Sequence, residues 1–277
     1  MTSKNNKKTK YCLSVFALSA VGLSSAFASP TITPGVLSAG TDLTLPPYTY
    51  LDNGKPSGFD PEFISKLAEH MGASSSFVDT RFASLIIGVK GNRYDVVASD
   101  LYITPERAKV VDFIPYFSTG GALMVKTDNV FKPVNLAESC GKKVASIKGA
   151  AWISTINSTS AKECTAQGKS AITIQEYDTS SEAAQAVISG AVDAQYEDIA
   201  IASMIAQRST DRLVISSKET LDPIVSGLAI KQDNLNLKNA INEAFSKMKA
   251  SGEYHALLSK YNLIEPTEQQ VAKALGK

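Results

Sequence analysis

The chain has 277 residues, with 28 Lys and Arg against 27 Asp and Glu and a formal net charge of +1. That balance, with no basic cluster beyond the N-terminal stretch, offers no electrostatic footprint for a nucleic-acid partner. The two histidines, His70 and His255, each sit near the end of a helix-like segment, so the sequence predicts neither a metal site nor a cofactor.

The N-terminus reads as a secretory signal peptide over residues 1–28. Lys4, Lys7, Lys8 and Lys10 form a basic start, residues 11–28 are apolar but diluted by serine, and Ala26-Phe27-Ala28 is a small-x-small cleavage pattern. The stretch is short and serine-rich for a permanent membrane span. Cys12 lies inside it and not at its end, which argues against lipid attachment. Cleavage after Ala28 leaves 249 residues with 24 basic against 27 acidic side chains, a length that suggests two domains. The product is expected in the periplasm.

Beyond the leader, short apolar runs alternate with helical patterns, which predicts an α/β protein. Asp60-Pro61 reads as the cap and first residue of a helix carrying Phe63, Ile64, Leu67, Ala68 and Met71 on one face, stopped by Gly72. Residues 94–99 read as a buried strand, and Thr104-Pro105-Glu106 opens another helix. Lys143–Ile147 reads as a strand followed by Gly149 and a short helix around Trp152. Ser180 is expected to cap a helix that Gly190 stops. Residues 192–196 read as a strand, with Glu197-Asp198 starting a helix to about Arg208. Leu237, Ile241, Ala244, Phe245 and Met248 mark a last amphipathic helix, ended by Gly252. Two cysteines remain in the mature chain, Cys140 and Cys164. In an exported protein they are most simply a disulfide, worth about 3.5 kcal/mol in the chain-entropy model; the alternative is two free buried thiols.

Several motifs, weak singly, are specific in their order and spacing. They are Gly40-Thr41-Asp42 with Pro46-Pro47-Tyr48, Ser57-Gly58-Phe59-Asp60, the run Gly91 to Val97, and Ile103-Thr104-Pro105-Glu106-Arg107 followed by Val111-Asp112-Phe113 and Pro115-Tyr116. Cys140-Gly141-Lys142-Lys143-Val144 and Ser189-Gly190-Ala191-Val192-Asp193-Ala194 come later. Over residues 36–261 the chain resembles the solute-binding proteins of polar-amino-acid ABC importers, the type II periplasmic binding proteins of family 3. The resemblance implies a two-lobed periplasmic-binding-protein-like fold with two hinge crossings. Residues 29–126 with 226–277 would form one lobe and 127–225 the other. Hinge closure would trap an amino acid between them for delivery to a membrane permease, and the protein would act as a monomer.

The resemblance also implies site residues. Arg107, in the first turn of its helix, matches the arginine that grips the ligand carboxylate, a task suited to a guanidinium's paired donors. Asp198 matches the carboxylate that receives the α-ammonium, although the plainer role of helix cap fits it too. Gly149-Ala150-Ala151 opens a helix whose backbone amides of Ala150 and Ala151 face the ligand; a hydroxyl residue is more usual at Ala150. Phe82 matches an aromatic platform, while Leu45 falls where a second is common. Within Ser99-Asp100-Leu101-Tyr102, Asp100 and Tyr102 are larger than the family's usual residues. With Asp42, Asp100 adds carboxylates that recognition of a neutral amino acid does not need. A basic amino acid, an opine-like conjugate or a cyclic cationic zwitterion is therefore expected.

Two other classes compete. The same fold resembles secreted cyclohexadienyl dehydratases, in which a cleft carboxylate such as Asp100 would be catalytic. No Ser/His or Cys/His pair and no phosphate-cradling glycine loop supports an enzyme. The third class is a sensor module that presents its ligand to a membrane receptor.

Overall fold

The computed structural model describes residues 1–2 and 29–277. The basic start, the apolar run and the cleavage motif of the targeting segment therefore lie outside the described residues. Twelve strands are present among those described. They are β1 (Val36–Thr41), β2 (Thr44–Leu45), β3 (Thr49–Asp52), β4 (Lys55–Ser57), β5 (Ser74–Asp79), β6 (Val96–Val97), β7 (Val111–Lys126), β8 (Lys143–Ile147), β9 (Thr173–Tyr177), β10 (Ala194–Asp198), β11 (Leu213–Ile215) and β12 (Leu221–Lys231).

Nine of these join one sheet in the order β5-β1-β6-β12-β7-β10-β8-β9, with β11 also on β7; β2, β3 and β4 form a small separate sheet. The pairing explains the two-lobed shape. β1 lies parallel to β5 and β6, and β8 lies parallel to β9 and β10, so each half is a small α/β layer. The antiparallel strands β7 and β12 connect them. The first part of β7 pairs with β12, from Val111 opposite Lys231 to Thr119 opposite Ile224. Its last part, from Gly121 onward, pairs with β10 and β11. The ladder between β7 and β12 breaks register between Leu221 and Ile224 and again between Ser226 and Gly227. A bulge adds a residue to one strand and bends it, and the first of these irregularities lies opposite residues 119–121, where β7 passes from β12 to β10.

Helix Phe59–His70 buries Phe63, Ile64, Leu67 and Ala68, as its spacing predicts. Its start differs from the expectation. Gly58, not Asp60, precedes the first helical residue, at φ 111°, and a Cβ there would lie 2.5 Å from the Tyr48 carbonyl oxygen. Only glycine fits that approach. Asp60 is freed from capping and turns inward. The packing beneath is aromatic: Phe59 meets Phe117 with ring centroids 5.0 Å apart, Tyr116 meets Phe117 at 4.6 Å, and Phe63 meets Phe245 at 5.2 Å.

Three further boundaries move. The strand expected over 94–99 is laddered only at Val96–Val97. Thr179, not Ser180, caps helix Ser180–Ser189, because Glu182 stands three residues on and completes a reciprocal capping box. Strand β10 runs on to Asp198, which also caps helix Ile199–Arg208, so the acidic pair ends a strand where the sequence suggested the start of a helix. Cys140 and Cys164 are bonded, with Cα atoms 5.4 Å apart, and tie the approach to β8 to the helical segment after Trp152. No helix among the described residues is long and apolar enough to cross a membrane.

Candidate ligand-binding site

The two halves of the sheet meet around one arginine and a group of buried acids. Thr104 caps the single turn Pro105–Ala108, its hydroxyl accepting from the Arg107 amide at 3.2 Å. That turn aims the half-buried Arg107 side chain back across the strand ends. Nη1 donates to the Tyr102 carbonyl at 2.6 Å and Nη2 to the Gly149 carbonyl at 2.9 Å, so the guanidinium bridges both halves. Its carbon Cζ stands 5.8 Å from the centre of the Phe82 ring. Burial lowers the Arg107 pKa to about 10, against an upward pull from Asp100, and the group stays charged at neutral pH.

Asp198 belongs to the other half, at the end of β10, and has no exposure to solvent. Its oxygens accept from the Ala200 and Ile201 amides at the helix start, at 2.9 and 3.4 Å. They also accept from three hydroxyls of the first half and the crossing strand: Tyr48 at 3.0 Å, Tyr102 at 2.7 Å and Thr119 at 2.6 Å. Burial pushes the Asp198 pKa up, and these donors oppose the rise by favouring the ionised form. Asp198 thus caps its helix while its carboxylate also binds hydroxyls of the other half.

Asp100 is held in the left-handed region at φ 47° and is 4% exposed. Its amide donates to Asp60 Oδ2 at 3.0 Å, and its Oδ1 accepts from the Ser226 hydroxyl at 2.5 Å. Burial raises its pKa strongly, and the neighbouring Asp198 adds to the rise. Asp60 accepts the Tyr116 hydroxyl at 2.6 Å on its other oxygen; burial lifts its pKa to about 7. Glu197, bonded to Gln195 Nε2 at 2.9 Å, is lifted by burial to about 7 as well. Four buried carboxyls therefore lie close together, each with its pKa raised by burial, and a cation placed beside them would favour their ionised forms.

The remaining expected residues divide. Asp42 is buried, but its cation is already supplied by the protein. Arg81 Nη1 lies 2.7 Å away, and the Thr44 hydroxyl and Phe82 amide donate to its carboxylate at 2.7 and 2.8 Å. The expectation that Asp42 awaits a ligand charge is thereby replaced by a structural role. Ser99 is buried and its hydroxyl accepts from the Asp42 amide at 2.9 Å. The Ala150 amide is not free: it closes a turn on the Ile147 carbonyl at 3.3 Å. Ala151 takes the cap position before helix Trp152–Thr159, where it provides no side-chain cap. Gly149, at φ 78°, packs against Ala83 of the first half, where a Cβ would stand 3.2 Å from the Ala83 Cα.

Sequence reasoning did not single out Tyr48, Thr119, Trp152, Ser226, Asp60 or Arg81 for the site. Trp152, the only tryptophan of the chain, is 7% exposed and meets Tyr102 at 5.5 Å and Tyr196 at 5.7 Å between ring centroids. A signal was available for one of them. Asp60-Pro61 looks like a helix cap, yet Gly58 two residues earlier already offers a helix start, which leaves the carboxylate for another task.

Comparison with known proteins follows this geometry. Residues 37–264 match the family model described as bacterial extracellular solute-binding proteins, family 3. The L-cystine-binding protein TcyJ of Escherichia coli is 29% identical over 229 residues, covering 82% of each chain. The arginine-binding protein ArgT of Corynebacterium glutamicum is 27% identical, over 83% of this chain and 75% of its own. Among solved structures, an ancestral arginine-binding protein bound to arginine superposes with a TM-score of 0.74 at 31% identity, over 82% of this chain and 98% of that one.

Proposed function

This chain belongs to the bacterial extracellular solute-binding proteins, family 3, and on that premise we propose that it captures a cationic amino acid, or a derivative of one, for an ABC importer. The observation that carries the reading is that Tyr102 links Arg107 to Asp198 of the opposite half, its carbonyl accepting from the guanidinium and its hydroxyl donating to the carboxylate, with Asp100 buried near both. Arg107 receives the ligand carboxylate through two parallel hydrogen bonds, exchanging its present carbonyl partners for an anion. Asp198 faces the ligand's α-nitrogen, and Asp100 faces its second positive charge. Phe82, Tyr102 and Trp152 supply the walls.

In this reading residues 29–126 with 226–277 form one lobe and 127–225 the other, β7 and β12 carry the hinge, and the ligand is buried by closure. The monomeric protein then docks on a membrane permease. It acts outside the cytoplasmic membrane, in the periplasm, after cleavage behind Ala28. The arginine- and cystine-binding relatives support a ligand with a second charged end.

A thermal-shift screen of amino acids against purified, ligand-stripped protein tests the proposal, since a ligand that binds only the folded state raises its Tm. Basic amino acids or their derivatives are expected to give the largest shifts and to change the emission of Trp152. A screen in which no amino-acid-like zwitterion raises Tm refutes it.

A further inference from the structure

The charges around Asp100 do not balance. Asp60 accepts from the Tyr116 hydroxyl and the Asp100 amide, Glu197 from Gln195 Nε2 and the Asp198 amide, and Asp100 from the Ser226 hydroxyl. Asp198 accepts from amides and hydroxyls. Every one of these donors is neutral. Arg107 is close enough to feel the charge of Asp100, but its Nη1 and Nη2 both go to carbonyls. Fully ionised, the four buried acids would set four negative charges against one positive. Buried carboxyls in that position keep protons instead.

Of the four, Asp100 is the one open to an incoming group. Asp60, Glu197 and Asp198 have no exposure, and both oxygens of each accept hydrogen bonds. Asp100 keeps 4% exposure, and its Oδ2 accepts no hydrogen bond from the described residues. The charges that act on it are Asp60 of helix Phe59–His70, Asp198 and Glu197 of β10, and Arg107 of the Pro105–Ala108 turn. Tyr48, Tyr102 and Tyr116 also lie near it and Tyr261 near Asp60, all with pKa values raised by burial and therefore neutral. Burial and the neighbouring acids hold a proton on Asp100. A cation set against Oδ2 reverses that balance, because it favours the ionised carboxyl. A ligand with no net charge leaves the proton in place.

Resting on the proposed amino-acid reading, we infer that Asp100 exchanges a proton for the ligand's side-chain cation: capture breaks its Oδ–H bond, the proton passes to water, and the ionised carboxylate pairs with the cation. Calorimetry of purified, ligand-stripped protein at pH 6 tests it, with L-arginine as the probe in phosphate and in MES. The two buffers differ in ionisation enthalpy, so the difference in observed heat counts the protons released. L-arginine is expected to release about one proton, and its affinity to rise roughly tenfold from pH 5 to pH 6. L-citrulline, of nearly the same shape without the second charge, is expected to bind with no proton released. Asp100→Asn, which has no proton to give, is expected to bind L-arginine more weakly, with no release and with an affinity level over the same pH range. L-arginine binding the wild type without proton release overturns the inference and leaves the amino-acid reading standing. So does an equal release with L-citrulline, or in a folded Asp100→Asn protein. Failure of L-arginine to bind overturns it too, while the free amino-acid screen judges the parent reading separately. Should the variant not fold, the wild-type measurement in the two buffers decides alone.

Discussion

Raising the pH from 5 to 7 is expected to destabilise this protein, and two buried acids set the magnitude. Burial lifts Asp60 from 3.8 and Glu197 from 4.5, each to about 7, and neither side chain is exposed. Both folded values lie above the unfolded ones, so the folded state keeps protons that the unfolded chain releases near pH 4. The stabilisation is complete below the unfolded values and is lost as the pH climbs through the folded ones. Between pH 5 and pH 7 each group costs about 2 kcal/mol, or about 4 kcal/mol together. For a chain of this size that lowers Tm by roughly 10 °C. Glu253 does not mask the effect. A hydrogen bond from His70, seconded by Lys66, holds its pKa down to about 2, so its titration is over before pH 5. Urea unfolding of ligand-stripped protein at pH 5, 6 and 7 reads the slope, and Asp60→Asn isolates one group. The amide cannot ionise, so the variant's slope should be shallower by about 2 kcal/mol over the interval, whatever its absolute stability. A wild-type stability that holds level or rises from pH 5 to 7, or an Asp60→Asn slope equal to the wild type, refutes the reasoning.

Three further outcomes are expected. Arg107→Ala should weaken the best ligand of the screen by far more than tenfold, because a buried ligand carboxylate loses its charged partner; calorimetry showing a smaller loss removes Arg107 as the anchor. Asp100→Asn should weaken a cationic ligand more than tenfold while circular dichroism shows the fold intact, and an unchanged affinity refutes the pairing of Asp100 with the second charge. The disulfide closes a separation of 24 residues, so Cys140→Ser should lower Tm by roughly 7 to 14 °C; an equal Tm in a thermal melt contradicts that contribution.

Much of this molecule is legible without its structure. Helix Phe59–His70 and the helix carrying Leu237 to Met248 follow from apolar spacing, because a 3.6-residue period has one core-facing solution. Thr104-Pro105 announces its turn through cap chemistry that is local to four residues. The cysteine pairing follows from number and compartment, since two cysteines allow one intramolecular bond. The motif order from Gly40 to Ala194 points to the family that the match over residues 37–264 establishes.

What the sequence left open depends on contacts between distant residues. Asp42, Asp60, Asp100 and Asp198 are alike as letters, and nothing within a few positions of each tells which one has a cation. Arg81 settles Asp42 from 39 positions away through the fold. Tyr48 reaches Asp198 across 150 positions, and Ser226 reaches Asp100 across 126. Local rules fix backbone hydrogen bonds and the side a residue faces, because those are decided within a turn or a strand pair. The charge state of a buried carboxyl is decided by desolvation and by whichever donors the tertiary structure brings to it. For that reason the sequence could single out Arg107 and Asp198 as candidates, while only the folded chain shows that three hydroxyls donate to Asp198.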